Sequence, residues 1–222
     1  MPSPDSNSTC WTVIRAAAAG SPVDCQEFAR RYLGVVRAYL AARWGGSAVV
    51  GELGDAVQEV FVECFRRGGA LEAAGAGRVP SFRAFLYGVV RNVARRFEAR
   101  PAVPAPLPED LDANEASQSR LFDRTWAQAI MADAARLQGE RAAERGPEAV
   151  QRVELLRLRF EENLPIRAIA ERWGVEAAAL HHAYALARKE FRAALLEVVA
   201  FHSPGGPEVL EQEAAGLLKA LS

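Results

Sequence analysis

A chain of 222 residues has the length for two small domains, each with a modest core. Its formal net charge of −1 excludes binding to a polyanion by bulk electrostatics, so any nucleic-acid surface has to be local. Ala, Leu, Arg and Glu dominate and strand-like runs of Val, Ile and Thr are absent, which predicts an all-α protein.

Residues 1–8 are polar and rich in Pro and Ser. Thr9 is placed to cap a short helix that ends at Gly20, and Ser21-Pro22 reads as a cap followed by Pro in the first turn of the next. That second helix should run to Trp44 with Phe28, Tyr32, Val35, Val36, Tyr39 and Leu40 inward, and Gly45-Gly46 should stop it. In ELGDAVQEVFVECFRRG, Leu53, Val57, Val60, Phe61 and Cys64 recur at helical spacing. Asp55, Gln58, Glu59 and Glu63 are left outward, which on its own is simply a solvated helix face.

A Gly/Ala-rich loop, 68–80, precedes Ser81, which should cap SFRAFLYGVVRNVARRFEAR. Phe82, Phe85, Leu86, Val89, Val93 and Phe97 form its buried stripe. Arg83, Tyr87, Arg91 and Arg95 recur every four residues as a slanted ridge, with Asn92 and Arg96 beside it. Five Arg against one Glu over residues 83–100 make a local charge of +4. A cationic ridge with an interleaved aromatic suits a nucleic-acid backbone with bases stacked beside it. The helix macrodipole favours Arg95, Arg96 and Arg100 near a C-terminus but not Arg83 in the first turn.

Residues 101–120 are Pro-rich and then acidic, four acids against Arg120, and are expected to be an extended domain linker. The stretch 121–138 is amphipathic through Leu121, Phe122, Trp126, Ile130, Ala134 and Leu137, with a break expected at Gly139. Pro147 opens a helix with Val150, Val153, Leu156, Leu158 and Phe160 apolar; both helices should form a platform beneath the next pair. In residues 164–192, Ile166, Ile169, Ala170 and Trp173 line one face of a short helix, and Gly174 stands at a sharp turn. Val175, Leu180, Ala183, Ala187 and Phe191 stripe the next helix, and the small Ala170 allows a close crossing. This is the pattern of a helix-turn-helix, whose second helix enters a DNA major groove. After HSPGGP, residues 207–221 give a short amphipathic helix expected to pack back on the preceding domain.

In order, DAVQEVFVECF, FRAFLYGVVRNVARRFEAR and the helix-turn-helix resemble a bacterial RNA polymerase sigma factor of the extracytoplasmic-function (ECF) group. The resemblance covers residues 28–100 and 121–199, with Phe85 where the family often has Trp. It implies a region two-like domain over 1–100, a linker over 101–120, a region four-like domain over 121–200 and a helical extension over 201–222. It implies that Asp55, Gln58 and Glu59 contact the β′ coiled coil of core RNA polymerase, with the β flap a further partner surface. Arg83, Tyr87, Arg91, Asn92 and Arg95 would engage and melt the minus-ten element of promoter DNA, helped by the loop 68–80 in capturing an extruded base. The helix-turn-helix would read the minus-thirty-five element, and an anti-sigma factor is a further partner the family admits.

The second helix of that motif opens with Glu176, a poor cap, and three Ala, which offer no hydrogen bonds to base edges. Readout falls to His181, His182 and Tyr184, with Arg188, Lys189 and Arg192 on phosphates, and weak minus-thirty-five recognition is expected. A stand-alone helix-turn-helix regulator, and an adaptor that binds polymerase without reading promoters, are the rival readings.

No enzyme is expected. His181 and His182 point about 100° apart on a helix and cannot serve one metal from one face. There is no glycine-rich phosphate loop, nucleophile elbow or Cys-His pairing, and no cofactor is implied. Cys10, Cys25 and Cys64 fit neither a disulfide framework nor a zinc spacing, and each should fill an apolar slot. No apolar run approaches the ~20 residues of a membrane span, and no signal peptide is expected. A soluble, cytoplasmic protein without membrane insertion is the expectation.

Overall fold

The computed structural model describes residues 10–66, 81–99, 111–203 and 205–221. Every regular element among them is helical, as the composition predicts. They are α1 (Cys10–Ala18), α2 (Pro22–Arg43), a 3-10 turn (Ala48–Glu52), α3 (Leu53–Phe65), α4 (Phe82–Glu98), α5 (Leu111–Arg145), α6 (Pro147–Phe160), α7 (Ile166–Trp173), α8 (Ala177–His202) and α9 (Pro207–Leu221). The loop 68–80 and the Pro-rich residues 101–110 lie outside the described residues. No described helix is long and apolar enough to cross a membrane.

The chain divides into two compact units, Met1–Ala129 with Ala200–Ser222, and Ile130–Val199. The division falls within α5 and near the end of α8. This corrects the expected boundaries in three places. Residues 111–120, read as linker, open α5, because the prolines of that stretch end at Pro108 and residues 109–120 contain neither Pro nor Gly. Gly139 does not break the helix; α5 runs on to Arg145, since one glycine costs a helix only about 1 kcal/mol. The stretch 200–222 belongs with the first unit, not with the helix-turn-helix.

In the first unit, Ser21 caps α2 by accepting a hydrogen bond from the Asp24 N–H at 3.4 Å, with Pro22 at the first helical position. Ser81 caps α4 through the Ala84 N–H at 3.2 Å. Ile14, Phe28, Val36, Tyr39, Leu40, Phe82, Leu86 and Phe122 are fully buried and form the core. Phe122 and Trp126, expected beneath the helix-turn-helix, instead pack here. Phe122 lies 5.4 Å from Tyr39 and 5.2 Å from Tyr87, and Trp126 stacks on Tyr32 at 6.0 Å. Cys10 and Cys64 are buried and Cys25 half-buried. Burial pushes the Cys10 and Cys64 thiols up to about 12, so both behave as small hydrophobes.

In the second unit, Leu155, Leu158, Ile166, Ile169, Ala170 and Leu180 form one apolar cluster, with Leu164, Trp173, Ala177, Ala183 and Tyr184 packed against it. Two predicted core positions are exposed: Val150 and Phe160 point outward from α6, where Ala149 and Leu155 are buried instead. Val175 sits exposed in the turn and is not part of the α8 stripe.

Candidate nucleic-acid interface

On α3, the apolar spacing turns Ala56, Val57, Val60 and Cys64 inward. Asp55 and Gln58 are left exposed, with Glu59 and Glu63 half-buried at the same edge. Glu59 and Glu63 accept hydrogen bonds from Arg96 of α4 at 3.3 and 3.4 Å. The expected docking edge and the expected DNA ridge are thus joined by an ion pair. Next to Gln58, Leu33, Val57, Phe61, Val62 and Phe65 line an open apolar groove between α2 and α3.

α4 carries the predicted ridge, but the ridge is not a free cationic strip. Arg83 donates to Asp123 of α5. Arg91 reaches Glu115 at 3.3 Å, and Arg95 donates to the same carboxylate oxygen. With Arg96 paired to Glu59 and Glu63 of α3, each arginine within α4 faces a carboxylate. Such an arrangement was hidden in the sequence because Glu115 and Asp123 fell in a stretch read as linker and in one read as part of another domain. Tyr87 is half-buried. Its ring meets Tyr39 edge-on at 6.1 Å and Phe122 at 5.2 Å, with the Arg91 guanidinium 5.9 Å above it. Burial pushes the Tyr87 hydroxyl above its ordinary range, so it stays protonated. Asn92 is exposed.

The one acid of α4, Glu98, faces inward. It takes two parallel hydrogen bonds from Arg43, at 2.6 and 2.9 Å, and a third from the Trp44 indole at 2.8 Å. Arg43 also donates to the Tyr39 hydroxyl at 3.0 Å. Burial works against ionisation of Glu98, but the hydrogen bonds from Arg43 and Trp44 outweigh it and hold the carboxyl below the ordinary glutamate range. Sequence reading missed this clamp, which joins residues 55 apart.

In the second unit, α6 ends at Phe160, and Asn163 in the turn beyond it has a φ of 53°, in the left-handed region that Asn tolerates. α7 ends at Gly174 with φ 66°. The Val175 N–H bonds the Ala170 carbonyl at 3.1 Å and the Gly174 N–H bonds Glu171 at 3.3 Å, a Schellman closure that needs a residue free to take positive φ. Glu176 precedes α8, and its carbonyl accepts the Leu180 N–H at 3.1 Å. His181, His182, Arg188, Lys189 and Arg192 are exposed on α8. Tyr184 is divided between the apolar cluster and the Arg188 guanidinium, 5.7 Å from its ring. Two further contacts fix α8: the buried Gln138 amide donates to the Ala187 carbonyl at 3.1 Å, and Arg152 grips Glu190 at 3.0 and 2.7 Å.

Compared with known proteins, the chain matches no family model and none of the curated proteins searched.

Proposed function

We propose that the chain is a sigma factor of the extracytoplasmic-function kind, which binds core RNA polymerase and directs promoter-specific initiation. The observation that carries the reading is the pairing of α3 and α4 in one helical unit. The first leaves Asp55 and Gln58 exposed, and the second carries Arg83, Arg91 and Arg95 as one slanted ridge, with the exposed Asn92 beside it. In this reading Asp55, Gln58 and Glu59 meet the polymerase, and α4 engages the minus-ten element through forked Arg contacts to phosphates. The turn at Gly174 and the exposed basic residues of α8 support a helix-turn-helix that meets the minus-thirty-five element. The three residues that open α8, Ala177 to Ala179, carry no polar side chain, so its base readout is weak. The chemistry of transcription belongs to the polymerase, not to this chain.

The test is co-purification with core RNA polymerase followed by reconstituted transcription. Promoter-dependent initiation is expected only when both are present. Absence of initiation across the source organism's promoters would sink the reading. A second reading, an adaptor that binds polymerase but reads no promoter, is favoured by the carboxylates that face the α4 arginines. It predicts polymerase binding without initiation. A stand-alone helix-turn-helix regulator would instead shift duplex DNA without polymerase.

A further inference from the structure

The acids that face α4 come from a segment with its own anchor. Glu115 and Phe122 are seven residues apart on α5, two turns along one face. Phe122 is 1 % exposed and Trp126 5 % exposed, sunk among Tyr32, Tyr39, Phe82 and Tyr87. Their burial fixes the rotation of this part of α5 and turns Glu115 toward Arg91 and Arg95, and Asp123 toward Arg83. The two helices run antiparallel here, since the earlier acid meets the later arginines. The contact is incomplete as well as exposed. Two carboxylates serve three arginines, one oxygen of Glu115 takes both Arg91 and Arg95, and the buried Nε of Arg91 has no partner. A phosphate offers more acceptor oxygens in the geometry a guanidinium fork prefers.

We infer that residues 115–123 of α5 are an intramolecular competitor for the nucleic-acid backbone, an autoinhibitory cover in which Glu115 and Asp123 stand where phosphates bind. The inference rests on the reading that α4 engages a DNA strand. It adds that the free protein holds this surface shut and that a strand gains access by displacing the segment. Ion pairs this exposed are weak and exchange readily, which a reversible cover requires.

The test uses the full-length protein without polymerase and a fluorescein-labelled, mixed-sequence DNA single strand at about 50 mM salt. Anisotropy should show Glu115→Gln/Asp123→Asn binding about three- to tenfold more tightly than wild type, and adding Arg91→Ala/Arg95→Ala should remove the gain. Glu144→Gln/Glu208→Gln makes the same change in net charge at exposed positions elsewhere and should leave affinity unchanged. An equal gain in that control, or no gain in the first variant, overturns the cover. If there is no gain but Arg91→Ala/Arg95→Ala weakens the wild type, the cover fails and the α4 reading stands. If the arginine substitutions change nothing in either background, both fail. Each single variant, Glu115→Gln or Asp123→Asn, should give part of the gain, so the test holds even if the double variant misfolds.

Discussion

Arg43 and Glu98 meet fork to fork, with the Trp44 indole closing the third side of the carboxylate. The Arg43 side chain is only 9 % exposed and Glu98 29 %, so removing either partner strands a half-buried charge. Arg43→Ala should therefore cost about 2–3 kcal/mol of unfolding free energy, and Arg43→Lys should recover only part, since an ammonium cannot make the two parallel bonds. Urea denaturation measures both. The Glu98 carboxyl is held below its unfolded range, so its contribution is complete above that range and disappears as pH falls through the folded value. Glu98→Gln should flatten that part of the acid limb.

His202 lies inside the first unit, with its Nδ1 3.2 Å from the Tyr32 hydroxyl and its carbonyl accepting the Cys10 thiol at 3.3 Å. Burial, and then the nearby Arg31, push its pKa down to about 3. The imidazole is thus neutral in the folded chain at pH values where the unfolded chain already protonates it. Its contribution is whole above about pH 6.5 and is lost as pH falls toward 3, at roughly 1.4 kcal/mol per pH unit. Denaturation curves at pH 7.5, 6 and 5 should show the wild type losing stability faster than His202→Gln. Parallel losses would refute the assignment.

Gly139 occupies the interior of α5, and a Cβ built there meets nothing within 4 Å. Its φ is ordinary, so the residue uses none of glycine's freedom. Gly139→Ala should stabilise the protein by about 0.5–1 kcal/mol through helix propensity alone. A rise in the midpoint of thermal unfolding is the expected result.

Gly139 also shows where sequence reading reached its limit. The inward faces of α2, α3 and α4 were legible because their periods are regular, and so was the turn at Gly174, where small, apolar and turn positions agree. The course of α5 was not. Its glycine and its acidic opening resemble a break and a linker, yet the anchor that fixes it, Phe122 with Trp126, depends on a cavity built by residues of α2 and α4. Local patterns carry no information about that cavity. For the same reason the basic ridge was legible as a set of residues but not as a surface already facing Glu115 and Asp123. The clamps Arg43–Glu98 and Arg152–Glu190 join residues 55 and 38 apart, beyond the range of any local spacing.

The α3 edge allows docking to be separated from folding. Asp55 is exposed in the first turn of α3, where an anion is favoured by the helix dipole. Asp55→Lys should cost only about 0.5–1 kcal/mol of stability, because a cation replaces an anion at that end. Glu59→Lys adds a second effect: it replaces the Arg96 ion pair, 3.3 Å across, with a like charge. That pair is half exposed, so its loss adds no more than about 1 kcal/mol. Neither change unfolds a protein of ordinary stability. Retention of core RNA polymerase on the immobilised protein should nevertheless fall at least tenfold in each variant, whereas Glu144→Lys, on the second unit, should retain it fully. If Asp55→Lys keeps polymerase while folding normally, the acidic edge is a solvated helix face and polymerase docking must be sought elsewhere.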